Sequence, residues 1–455
     1  MKHRRLPLVL AAVAVLSSSL GFVAASPPAG ASSTVHLSYT LWDPHEEVGY
    51  KQSIALFEKA HPNISVTITE IPYGSYQTKL QEEFSSGTGP DLFWINTPWL
   101  STWIKDGYMV NLAPYIKKWG LDMSIYYPSL VSLHEYQGAI YGLPKDWDTI
   151  AYFVNLNYLK QHNLTLPASW SWNTTNGGSF LKFLQEATID TSGNNALSPK
   201  FNASSIATYG SAMNNSAQTG FENFWQMDGC HIINAAWAST TAFNTPACAA
   251  TTQFIRDLMY KYHVFAPGSL LGTNGTSPSG QDTALFASGK IAMLQAGDWE
   301  TTPVSQLVGT KFKIGVEELP AGPDGLWSVF NGLIDGVNPH SPNLSSALML
   351  EEWLGSAASQ KIMGEGGYIW PAIKSLDPLF VQAWAKLGIP MQPFLSEAQG
   401  NVVDWPNTPG MNQGLTDMAS DMGPIWLGAG NLANTTSLLS KAYGDANHDL
   451  SAAGA

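Results

Sequence analysis

Cysteine is nearly absent from this chain of 455 residues. Only Cys230 and Cys248 occur, too few for a thiolate metal site. Arginine is scarcer than expected as well, and beyond residue 31 only Arg256 is found, which disfavours a phosphate ester held by guanidinium groups. Charged residues make up 13%, about half the share usual in globular domains. After the first 25 residues no run is apolar and long enough to span a bilayer. No glycine-rich phosphate loop follows the first predicted strand, so a nucleotide-binding α/β fold is disfavoured. Basic charge is also short: the formal net charge is −13, which argues against nucleic acid or anionic lipid as partner. Neither a Ser/His/Asp arrangement nor a His–acid metal spacing stands out.

What is present is a globular composition, 44% hydrophobic, in a chain long enough for two lobes. Asn, Ser, Thr and Gly replace the missing charge, as in many exported proteins. Seventeen tryptophans are more than a core of this size needs, so some are expected to line a cleft. Residues 1–31 read as a secretory leader: Lys2 to Arg5 is basic, Leu6 to Leu16 is apolar, and small residues follow. Cleavage is expected after Ala25 or Ala31, the alternative being a retained anchor. In an oxidising compartment Cys230 and Cys248 are expected to pair. Closing a loop of about 18 residues would contribute roughly 3 kcal/mol; the alternative is two separate buried thiols.

The first predicted strand, Val35 to Trp42, runs into a loop holding Glu46 and Glu47 before a helix from about Tyr50 to Ala60. A strand at Ile64 to Ile68, a helix at Tyr76 to Phe84 and a strand at Asp91 to Ile95 follow, with Asn96 to Trp99 beyond the last strand end. This β-α-β-α-β alternation implies an α/β fold with a parallel sheet. A hairpin edge at Gly138 to Pro144 leads through Lys145–Asp148 to a strand at Ile150 to Asn155. Residues 173 to 215 carry few charges and read as loops and short helices. Trp327 to Val337 reads as one strand, its glycines at 332 and 336 marking close backbone approach. The tail from Asp445 reads as frayed.

The densest signal is Ala284 to Trp299. A helix ends at Gly289, Lys290 to Gln295 reads as a buried strand, and Gly297 breaks it. Asp298, Trp299 and Glu300 then stand beyond a strand end, where α/β folds bind ligands. An indole can cover the C–H face of a sugar while carboxylates accept its hydroxyl protons.

The order of these signals resembles the extracellular solute-binding proteins of ABC sugar importers, the group that includes maltose-binding protein. The resemblance rests on Phe57-Glu58, Gly89-Pro90-Asp91, Tyr141-Gly142-Leu143-Pro144, Asn155, Trp170, the Phe286/Gly289-Lys290/Ala292-Met293/Gly297/Trp299 run and Gly367/Pro371, and spans Val35 to Ala442. It implies a two-lobed periplasmic-binding-protein fold with three interlobe crossings and the ligand cleft between the lobes. The segments would be 32–146 and 333–378 in one lobe, 147–332 and 379–455 in the other. It further implies a sugar ligand, no cofactor, delivery to ABC permease membrane subunits, a monomer, and an exported location, periplasmic or at the cell surface. The leader lacks the lipid-modified cysteine common in members from single-membrane bacteria.

By family position, the expected ligand contacts are Asp148 and Trp299, Glu46 and Glu47, Asn96 and Trp99, Asn331 and Gly332, and Trp370. Glu47 departs from the basic residue the family pattern leads one to expect. Trp147, Trp225 and Trp405 complete the set. A polyamine is the competing ligand, since an acidic, aromatic-lined cleft would attract it too. A glycosidase using Asp146 and Asp148 is the third reading.

Overall fold

The computed structural model describes residues 34–272, 275 and 280–455. The expected leader lies outside the described residues. Among them, no helix is long and apolar enough to cross a membrane.

Two sheets organise the molecule. The first has four strands in the order Leu333–Val337, Leu92–Asn96, Val35–Leu41, Ile64–Glu70. The last three are parallel, as the alternation predicts, whereas Leu333–Val337 joins antiparallel to Leu92–Asn96. The second sheet centres on Ile150–Asn155, flanked antiparallel by Met293–Gly297 and Ile314–Glu317. Every residue of Ile150–Asn155 is buried. Successive side chains on a strand point to opposite faces, so Ile150, Tyr152 and Val154 enter one core while Ala151 and Phe153 enter another. A strand buried on both faces reads as a continuous apolar run, and this one does.

Several boundaries differ from the sequence reading, each for a local reason. The first helix starts at Pro44, not Tyr50. Asp43 caps it, accepting from the N–H groups of His45 at 2.7 Å and Glu46 at 3.1 Å, with Pro44 preset for the first turn and Glu46 and Glu47 near the positive helix end. A helix, Thr97–Lys105, also follows Asn96 directly, with Pro98 in its first turn. Trp327 to Val337 is two strands: Trp327–Phe330 pairs with Asn401–Asp404 and Leu333–Val337 joins the first sheet. Asn331 and Gly332 lie between them, and a Cβ on Gly332 would stand 2.4 Å from Leu130 and 2.8 Å from the Asp146 carbonyl oxygen. The tail is a helix, Leu432–Ala452, with Leu439, Ala442, Ala446 and Leu450 buried on one face and Asn431 as its cap. Cys230 and Cys248 form a disulfide.

Candidate functional site

The carboxyl end of the first sheet and the far end of the second meet around a cavity of about 550 Å³. On the first side, Trp42 ends the opening strand and meets Tyr73, Tyr76, Trp94 and Trp99 edge to face, with centroids 4.8 to 5.5 Å apart. Edge-to-face packing sets the positive ring edge against a negative face, so the wall of Trp42 and Tyr73 stands on a fixed aromatic base. Beneath it lies the buried Lys145. Its Nζ is 2.6 Å from Asp146 Oδ2, 3.5 Å from Glu46 Oε2 and 3.8 Å from the Trp94 ring centroid. Burial opposes the ammonium charge, but Asp146, Tyr50 and Glu46 outweigh it and hold its pKa above the usual lysine range.

On the second side, Met293–Gly297 ends in the tight turn Asp298–Glu300 that carries Trp299. The half-buried indole folds back over Gly297, and a Cβ there would lie 1.9 to 2.3 Å from three ring carbons. Tyr368 is seated similarly over Gly49 and Gly366, where Cβ atoms would come within 2.5 and 2.1 Å of its ring. Asp298 is tied to Thr149, whose N–H donates to its Oδ2 at 3.2 Å. Asp148 accepts from Gln218 Nε2 at 2.8 Å and from Asn331 Nδ2 at 3.0 Å. Burial first, then the nearby Asp146, pushes the Asp148 carboxyl up to about 8; burial and Asp148 likewise raise Asp298. Glu300 is pushed up to about 7 by burial and by Asp282.

Of the residues expected from sequence, Glu46, Asn96, Trp147, Asp148, Trp299, Asn331, Trp370 and Trp405 line this cavity. Four do not. Glu47 leaves the first helix turn in another direction and pairs with Lys51 at 2.8 Å. Trp99 is buried behind the wall, stacked on Tyr73 and Tyr76; its Nε1 donates to Asn412, whose amide in turn donates to Gln77 at 2.8 Å. Trp225 is a core residue, fully buried against Phe221 and Phe243 with its Nε1 on Thr252. Gly332 contributes backbone only, its carbonyl accepting from Thr97. Trp147 and Trp370 stack on each other at 4.4 Å and are 1% exposed, so they reach the cavity only by their edges.

Asp298 and Glu300, singled out beside Trp299 in the sequence, also line it, and the cavity adds residues the sequence reading did not select: Trp42, Asp43, Tyr73, Asn214 to Thr219 in part, Asp282 and Tyr368. Trp42 and Asp298 carried a usable signal, since both stand at strand ends. Residues 214–219 carried none, because they run through loop into the π-helical turn Ala217–Phe221 in a stretch without periodicity.

The model of the bacterial extracellular solute-binding proteins matches residues 52–388. This chain belongs to that family. As a solute-binding protein it is 26% identical over 407 residues to the galactooligosaccharide-binding protein of Bacillus subtilis, covering 87% of this chain and 86% of that one. Among solved structures, UspC of M. tuberculosis is 25% identical and superposes with a TM-score of 0.74 over 91% of this chain and all of its own. An ABC substrate-binding protein of Listeria monocytogenes in complex with cycloalternan, 19% identical, gives a TM-score of 0.76 over 91% of this chain and 99% of its own. These likenesses establish the two-lobed α/β binding-protein fold, with the cavity where the lobes meet.

Proposed function

We propose that this protein captures a mono- or oligosaccharide between its lobes and delivers it to the membrane subunits of an ABC importer. The observation that carries this reading is the composition of the cavity wall: the Trp299 indole held over Gly297 beside carboxylates and side-chain amides. The ring offers an apolar face to sugar C–H bonds, and the polar groups can hydrogen-bond hydroxyls. The sugar-binding relatives support the same ligand class. Residues 32–146 with 333–378 form one lobe in this reading and 147–332 with 379–455 the other. In its favour, Leu333–Val337 joins the first sheet and Asp148 bridges to Asn331 where the lobes meet. Closure about these crossings buries the guest. The protein works as an exported monomer.

Binding without chemistry fits the state of the two acids a glycosidase would use. Asp146 is committed to Lys145 and to the Leu333 N–H at 2.8 Å, and Asp148 to two amide donors. A polyamine is the second reading, and the excess of cavity carboxylates favours it. Calorimetric titration with a panel of sugars and polyamines separates the two. In Trp299→Ala, sugar affinity is expected to fall at least tenfold with the melting temperature of the unliganded protein little changed; undiminished binding would remove the stacking role.

A further inference from the structure

Seven carboxylates line the cavity, from Asp43, Glu46, Asp146, Asp148, Asp282, Asp298 and Glu300, and among the described residues no lysine, arginine or histidine lines it. Lys145 lies beneath the wall and is matched by Asp146 and Glu46. Among the described residues, no three acidic, histidine or cysteine side chains are gathered closely enough to hold a metal ion. The acidic groups are therefore spread along the space a larger guest would fill.

Hydrogen-bond supply leans the same way. The Asn331 amide spends its Nδ2 on Asp148 and Asn96, at 3.0 and 3.3 Å, which leaves Oδ1 buried without a partner in a residue 2% exposed. Gln218 spends its Nε2 on Asp148, and Asn96 its Nδ2 on Tyr73. Among the described residues, the buried cavity atoms without a hydrogen-bond partner are the acceptors Asn331 Oδ1 and Glu46 Oε2, the latter facing Lys145 Nζ at 3.5 Å, and the donor Trp370 Nε1. A hydroxyl both donates and accepts, so a neutral sugar does not correct an excess of acceptors. An ammonium group has three donors and no lone pair.

We propose, building on the sugar-binding reading above, that the guest is an amino sugar or short amino-sugar oligomer whose protonated amine sits between Asp148 and Asp298, beside Asn331 Oδ1. Asp298 is bonded to the N–H of Thr149, the residue following Asp148, and both carboxyls line the cavity close enough to interact. Burial, with Asp146 beside Asp148 and Asp148 beside Asp298, pushes both carboxyls up. An ammonium between them favours both anions, and attraction between partly buried charges exceeds that at a surface. The hydroxyl- and amide-rich remainder of the wall, including Ser216, Thr219, Thr283 and Gln295, suits a polyhydroxylated ring and is wasted on the methylenes of a polyamine.

The test is calorimetry on the full mature chain with glucosamine and galactosamine oligomers, their N-acetylated forms, neutral sugars of the same linkage, and spermidine, at low and high salt. The free-amine sugars are expected to bind at least tenfold more tightly than the neutral ones, with the margin shrinking in salt. Asp298→Asn, or Glu300→Gln on the same turn if the first does not fold, should cut free-amine affinity by a larger factor than neutral-sugar affinity, so that the margin between them shrinks; an equal loss for both classes counts against the amine contact. Neutral sugars binding as tightly as the amines overturn the amino-sugar inference and leave the sugar reading standing. Binding of spermidine alone, or of nothing in the panel, overturns both.

Discussion

Gly297 has no side chain, and the indole of Trp299 occupies the space where one would be. The backbone there is ordinary, with φ at −78°, so an alanine would be tolerated by the chain but not by the ring. Gly297→Ala is therefore expected to swing the indole off its seat and weaken sugar binding about tenfold or more with little loss of stability. Tryptophan fluorescence and calorimetry check it, and an unmoved emission maximum with full affinity contradicts it. The same residue scale shows what a sequence can reveal. Asp298 and Trp299 were readable because they follow a glycine at a strand end. Trp225 and Trp299 are chemically identical, and only packing makes one a core residue and the other a wall. Glu46 and Glu47 differ by one position, about 100° around a helix, which sends one to the cavity and the other to Lys51.

Elements were more legible than side-chain directions. The alternation of apolar runs gave the parallel strands of the first sheet and the buried strand Ile150–Asn155. What it missed were starts and breaks: the cap Asp43-Pro44, the immediate helix after Asn96, and the break at Asn331-Gly332 between strands with different partners. The last cannot be read from hydrophobicity, because both flanking strands are buried and only their partners differ. The paired cysteines, expected from compartment alone, anchor the helix Pro246–Tyr260, where Thr245 caps Cys248. Replacing both with serine is expected to cost about 3 kcal/mol by the chain-entropy model for a loop of 18 residues. Urea unfolding of the double variant measures this, and an unchanged midpoint would show the link to be dispensable.

Across the whole molecule, burial raises carboxyl pKa values in the cavity and in the core alike: Asp148 and Glu397 to about 8, Glu300 and Asp335 to about 7. Unfolded, such groups titrate near pH ~4. Between those limits the folded protein holds protons that the unfolded chain has released, so stability declines as pH rises across that window. The unliganded protein is expected to melt at a higher temperature near pH ~5 than near pH ~8. Asp148→Asn, which removes one of the titrating groups, should flatten the slope, and a melting temperature that climbs from ~5 to ~8 would contradict this account.

Asn412 lies outside the cavity wall, yet its amide accepts from Trp99 and donates to Gln77, fastening the helix Met411–Trp426 to the side of the first sheet. Two neutral hydrogen bonds contribute about 1 kcal/mol each. In Asn412→Ala, bound sugar should leave about tenfold faster or more in stopped-flow, with the ranking of sugars preserved; an unaltered off-rate would count against this role. Faster release with the ranking kept would put dwell time and diet under separate control: the pace of hand-over could be retuned at this one amide while the choice of sugar stayed the same.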